Sequence, residues 1–159
     1  MFKISPQKKG FTLIEMLVTA AILAILAAAI MPLAKVAVKR EKEIELCRNL
    51  RSLREAIDAY KNLADEKKIE VEEDTEGYPP DLETLIRGVE LQEKAEKSKT
   101  KIIKFLRRIP KDPMTNSFDW GLRSYQDDPD SDTWGEENVY DVYTKSQATA
   151  LDGTKYRDW

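Results

Sequence analysis

The chain has 159 residues, of which 35% are charged and 42% apolar, with no His and one Cys. Lack of His excludes Ser-His-Asp and Cys-His catalysis and His-ligated metal sites, and a single Cys excludes an internal disulfide or a Cys-cluster zinc site. Residues 35–159 hold 28 of the 29 acids and 23 of the 26 bases, a net charge of −5 that disfavours a polyanion-binding protein.

Residues 1–10 are polar and include Lys3, Lys8 and Lys9. From 11 to 34 the only ionisable side chain is Glu15. As a helix these 24 residues would be about 36 Å long, enough for a hydrocarbon core of about 30 Å. A cleavable secretory signal needs a small-residue site after its apolar run. Ala27–Ala29 supply small residues, but the run goes on through Ile30, Met31 and Leu33 into a charged helix without a turn signal. A retained membrane helix is therefore expected. A carboxylate inside such a helix is costly unless paired or neutralised. Two readings of Glu15 stand: it snorkels to the nearby interface, or a positive group meets it in an assembly. An α-amino group freed by cleavage just before Phe11 would serve. Pro32 removes one helical hydrogen bond and either ends the membrane helix or bends it.

The stretch Lys8-Lys9-Gly10-Phe11-Thr12-Leu13-Ile14-Glu15-Met16-Leu17 resembles the processing site of type IV pilins and type II secretion pseudopilins. The shared pattern is a basic leader, Gly-Phe, Thr-Leu-x-Glu and an apolar stretch. The resemblance implies that prepilin peptidase, a membrane aspartyl peptidase, cuts between Gly10 and Phe11 and N-methylates Phe11. Residues 1–10 would then be a cleaved leader, and the chain the substrate of an enzyme rather than an enzyme itself. Glu15 would neutralise the Phe11 amine of a neighbouring subunit, and Pro32 would serve as a bend in filament packing. Two opposite charges buried together cost less than either alone, so correct register is rewarded. Flanking charge barely settles orientation, because Lys35, Lys39, Arg40 and Lys42 offset the three leader lysines. The resemblance places the leader in the cytoplasm and the C-terminal part in the periplasm.

In residues 35–64, Leu46, Leu50, Leu53, Ile57, Tyr60 and Ala64 recur at 4-3-4-3-4 spacing, an apolar stripe on an amphipathic helix. A coiled coil is open, but packing on a small β-sheet of the same chain is the preferred expectation. Residues 11–64 would form one helix of about 80 Å. Glu43, Arg48, Arg51, Arg54, Glu55 and Lys61 are assigned to the solvated faces, and Cys47 to packing beside the stripe. Residues 65–77 are rich in charge and read as a loop. Asp81 is the expected N-cap and Gly88 the expected stop of a short helix with Leu82, Leu85 and Ile86 on its apolar face. Tyr78-Pro79-Pro80-Asp81-Leu82 resembles the helix that follows the spine in major (G-type) pseudopilins of type II secretion systems.

Residues 93–111 carry eight bases, from Lys94 to Lys111. A nucleic-acid patch is opposed by the acidic tail and by the lack of an aromatic platform beyond Phe105. A solvated insertion, or a contact to acidic surface on the next subunit, remains. Strands are expected over 104–109, 121–126 and 138–144, the last from the alternation Val139-Tyr140-Asp141-Val142-Tyr143. Pro110-Lys111-Asp112-Pro113 followed by Trp120-Gly121 again resembles the secretion pseudopilin, with Met114 to Asp119 intervening where the family runs Asp-Pro-Trp-Gly together.

From Ser124 onward there are nine acids and three bases, a composition suited to a hard cation. An EF-hand fails: Asp128, Asp130 and Asp132 fit its first ligands, but Thr133 stands where Gly is required and Val139 where the bidentate Glu belongs. The family's major pseudopilins hold Ca²⁺ in the loop after the last strand through two Asp residues and backbone carbonyls. That resemblance implies Asp152, Asp158 and Leu151 as ligands here.

The expected fold is α+β: a long N-terminal helix, half membrane segment and half amphipathic spine, packed on a small antiparallel sheet in a head spanning 65–159. The resemblance implies a filament subunit that polymerises with itself in the inner membrane and periplasm. Its partners would be prepilin peptidase, minor pseudopilins and an inner-membrane platform. The rivals are a type IV pilin for adhesion, motility or DNA uptake, and a single-span membrane-tethered sensor or enzyme.

Overall fold

A computed structural model describes residues 10–92, 101–129, 131 and 133–159. Residues up to Lys39 and Arg40–Trp159 form two separate compact units. Helix α1 runs Leu13–Asp65 and contains Pro32, so Pro32 does not terminate it. Lys3, Lys8 and Lys9 of the leader, Lys94, Lys97 and Lys99 of the basic segment, and Asp130 and Asp132 lie outside the described residues.

In the second unit the expected stripe is the spine of the core. Leu46, Leu50, Leu53, Ile57 and Tyr60 are buried, joined on the same helix by Ala56. Burying each such Leu or Ile contributes about 1.5–3 kcal/mol. They pack against Leu82, Leu85, Trp120, Val139, Val142 and Tyr156 of the head, so the stripe serves its own chain rather than a coiled coil. Cys47 departs from expectation, because it is exposed. It lies one residue past Leu46, off the inward stripe.

Residues 65–77 hold a 3-10 turn at Glu73–Thr75, and buried Ile69 and Thr75 pin the segment to the core. Helix α2, Leu82–Arg87, is capped as its sequence demands. Asp81 Oδ1 accepts the Thr84 N–H at 2.6 Å, and Gly88 takes φ 84° at the C-terminal end. A Cβ on Gly88 would stand 2.4 Å from the Ile103 carbonyl oxygen. Strand β1, Val89–Glu90, pairs antiparallel with β2, Ile102–Ile103.

The strand expected over 104–109 does not form. Phe105 and Leu106 both donate their N–H groups to Leu85 O, at 3.0 and 2.9 Å. Both side chains also turn to the core, which breaks the period-two alternation of a strand. Strand β3, Gly121–Arg123, pairs antiparallel with β4, Asp141–Tyr143, in register Leu122↔Val142. Both are shorter than expected because side chains and loop carbonyls capture the flanking N–H groups. Ser124 N donates to Asp127 Oδ2 at 2.7 Å, Tyr125 N to Asn138 Oδ1 at 3.0 Å, and Val139 N to Pro79 O at 2.8 Å. Gly121 is required: a Cβ there would lie 2.3 Å from the Tyr143 ring, which Arg123 covers at 4.3 Å.

The chain is thus α+β, a long N-terminal helix packed with two small antiparallel sheets, consistent with a type IV pilin-like fold.

Candidate functional site

Gly10, Phe11, Thr12 and Glu15 build the N-terminal site. Gly10 is exposed, with no atom within 4 Å of where a Cβ would stand. The chain's own structure therefore does not demand glycine there. Thr12 caps α1: its Oγ1 accepts the Glu15 N–H at 3.3 Å, and its carbonyl accepts from Met16 N at 3.1 Å. Glu15 then lies in the first turn, where a carboxylate is favoured by the positive end of the helix dipole. The Phe11 side chain projects to the outside, 77% exposed.

The apolar part of α1 has no partner in its own chain. It is long and apolar enough to cross a membrane, and none of the described apolar stretch is buried. Leu13, Ile14, Met16, Leu17, Leu23 and Ile25 are all exposed. A bare apolar surface of this extent needs lipid or other protein. Among the described residues the Glu15 side chain makes no hydrogen bond or ion pair. Cleavage after Gly10 would create an amine one helical turn before Glu15 in sequence, on the same end of α1.

The head is closed by two polar clamps from α1. Glu43 Oε1 accepts both the Leu151 N–H and the Tyr156 hydroxyl, each at 2.8 Å. Burial, then the bond to Glu43, pushes the Tyr156 hydroxyl up to about 12. Arg54 Nε meets Asp141 Oδ1 at 2.7 Å, and its terminal nitrogen donates to Val142 O at 3.2 Å and Trp159 O at 2.7 Å. Glu43 and Arg54, expected on solvated faces, are instead half-buried against the C-terminal loop. A signal for Glu43 was present: it continues the stripe three residues before Leu46.

The residues assigned to Ca²⁺ lie in this loop. Asp152 Oδ1 accepts the Thr154 N–H at 2.9 Å and the Thr154 hydroxyl at 2.7 Å. Asp158 sits in a 3-10 turn, Tyr156–Asp158, with Arg157 Nε at 4.0 Å. Leu151 gives its N–H to Glu43, which leaves its carbonyl for other partners. Among the described residues no group of three or more His, Cys, Asp or Glu side chains is placed to hold a metal ion. Two carboxylates and a carbonyl are fewer than the six to eight oxygens Ca²⁺ takes, so further carbonyls and water would have to complete the set.

No match was found among curated proteins or solved structures. Residues 5–31 match the family model of the prokaryotic N-terminal methylation motif, so the chain carries the leader and apolar start of a type IV pilin-like protein.

Proposed function

We propose that the chain is a structural subunit of the periplasmic pseudopilus of a type II secretion system. The carrying observation is the methylation motif at 5–31, which takes in the start of an apolar helical stretch that holds Glu15 and has no buried residue among those described. That combination supports a pilin-like subunit processed by prepilin peptidase and built into a polymer. The secretion assignment is the finer step. It rests on the single Cys, which leaves no disulfide to close the C-terminal region as many true pilins do, and on Glu43 and Arg54, which close it non-covalently instead.

In this reading the precursor waits in the inner membrane with its C-terminal part in the periplasm. After cleavage between Gly10 and Phe11 and N-methylation, the apolar helices trade lipid for one another. Each Glu15 then meets the Phe11 amine of a neighbour and fixes register. Minor pseudopilins and a membrane platform would start and drive the filament, which pushes folded exoproteins through the outer membrane. The reading includes Ca²⁺ held by Asp152, Asp158 and the Leu151 carbonyl. Calorimetric titration of the purified protein checks it, and no heat and no melting shift at millimolar Ca²⁺ removes it.

The deciding experiment is a deletion strain. Loss of exoprotein secretion with surface filaments unchanged supports the proposal. Intact secretion with loss of surface filaments, adhesion or motility would replace it with the type IV pilin reading.

A further inference from the structure

Charge in the head is unevenly spread over its segments. Residues 55–76 hold nine acids and three bases, whereas 101–111 hold five bases and no acid. All five, Lys101, Lys104, Arg107, Arg108 and Lys111, are exposed, and none makes an ion pair among the described residues. The basic segment runs back along the helix. Phe105 packs on Tyr60, ring centroids 5.6 Å apart, and Lys111 O accepts from Asn49 Nδ2 at 2.9 Å. Its last two cations therefore lie beside Asn49, about 24 Å along α1 from Asp65, where the acidic loop begins.

Beside Asn49 those cations border an open cleft of about 610 Å³. Arg108 and Lys111 line it with Ile109, Pro110 and Phe118, and Glu45 is the one acid among the lining residues. Phe118 is 62% exposed, an aromatic ring left over the edge of a cationic cleft. At the other end Glu70, Glu72, Asp74 and Glu76 are exposed and make no ion pair among the described residues. Val71 stands half-buried between two of these acids.

We propose that the Arg108–Lys111 cleft receives the 70–76 acidic loop of a second copy of this chain. The two surfaces are complementary in charge, and each pairs an apolar group with its charges. They also lie at different levels of the same helix. A contact between different patches is heterologous, and where its rotation does not close a ring it repeats from copy to copy as an open filament. Charge of this kind sets partner choice and register more than raw affinity. This contact rests on the filament reading above and adds to it a head-to-head interface distinct from the packing of the apolar helices.

Charge reversal and re-reversal in the full chain, expressed in the cells that make it, tests the contact. Arg108→Glu with Lys111→Glu, and separately Glu70→Lys with Glu72→Lys, should each lower the polymerised fraction about tenfold. All four together should restore most of it. Melting of each purified protein in detergent checks that the head still folds. In a Cys47→Ala background, Lys111→Cys with Asp74→Cys should give a ladder of disulfide-linked multimers. Polymer that ignores the reversals, or reversals that the fourfold variant does not rescue, overturns the contact while leaving the filament reading intact. A wild-type chain that is cleaved yet stays monomeric overturns both.

Discussion

Replacing Glu43 tests how the head is held shut. Glu43→Ala leaves the Tyr156 hydroxyl, in a side chain 1% exposed, without its carboxylate acceptor, and also frees the Leu151 N–H. A buried hydrogen bond to a charged group contributes about 1.5–3 kcal/mol, and the more exposed Leu151 bond about 0.5–1 kcal/mol. The loss should therefore be about 3 kcal/mol. For a chain of this size that is a fall in melting temperature of about 6–12 °C. The assay is near-ultraviolet circular dichroism of the full chain in detergent, where Tyr156 and Trp159, ring centroids 5.1 Å apart, report on the loop directly. Tyr156→Phe should cost less, about 1–2 kcal/mol, because the carboxylate keeps Leu151. The double variant should cost less than the sum of the two, since they share one bond. Glu41→Ala, at an exposed neighbour, should change stability by less than about 0.5 kcal/mol. Melting of Glu43→Ala within about 2 °C of wild type would refute the clamp.

Glu15→Ala should be cleaved normally, since the substitution leaves Gly10 and Phe11 in place, but should enter polymer poorly; normal incorporation would remove its register role. Replacing Gly10 with a bulky residue should block cleavage and assembly while leaving the fold intact, because open space surrounds that position, and mass spectrometry of the N-terminus reads the outcome. Gly121→Ala should lose about 1–3 kcal/mol through overlap with the Tyr143 ring, measured by denaturant unfolding. Stability should also depend on alkali. Tyr156 keeps its proton in the folded state up to about 12 but loses it near 10 when unfolded, so its contribution is complete below pH 10 and falls away between pH 10 and about 12. Tyr156→Phe should flatten that part of the pH–stability curve.

The sequence by itself determined the features that rest on local chemistry or on helical periodicity. The apolar run after Gly10-Phe11, the lone Glu15, the stripe from Leu46 to Tyr60, and the Asp81 and Gly88 caps are all legible because each depends on residues within a turn or two. Periodicity also implied that the stripe needed a partner. What only the tertiary structure decided is where polar groups far apart in sequence meet. Glu43 reaches Tyr156 across 113 residues and Arg54 reaches Trp159 across 105, separations that no local pattern encodes. The strands depart from expectation for the same reason. Residues 104–109 have strand-like composition, yet the Leu85 carbonyl takes two of their N–H groups, while Asp127 and Asn138 shorten the 121–126 strand. A short segment follows whichever hydrogen-bond partner the rest of the fold places beside it, and that placement belongs to the packed chain rather than to the segment.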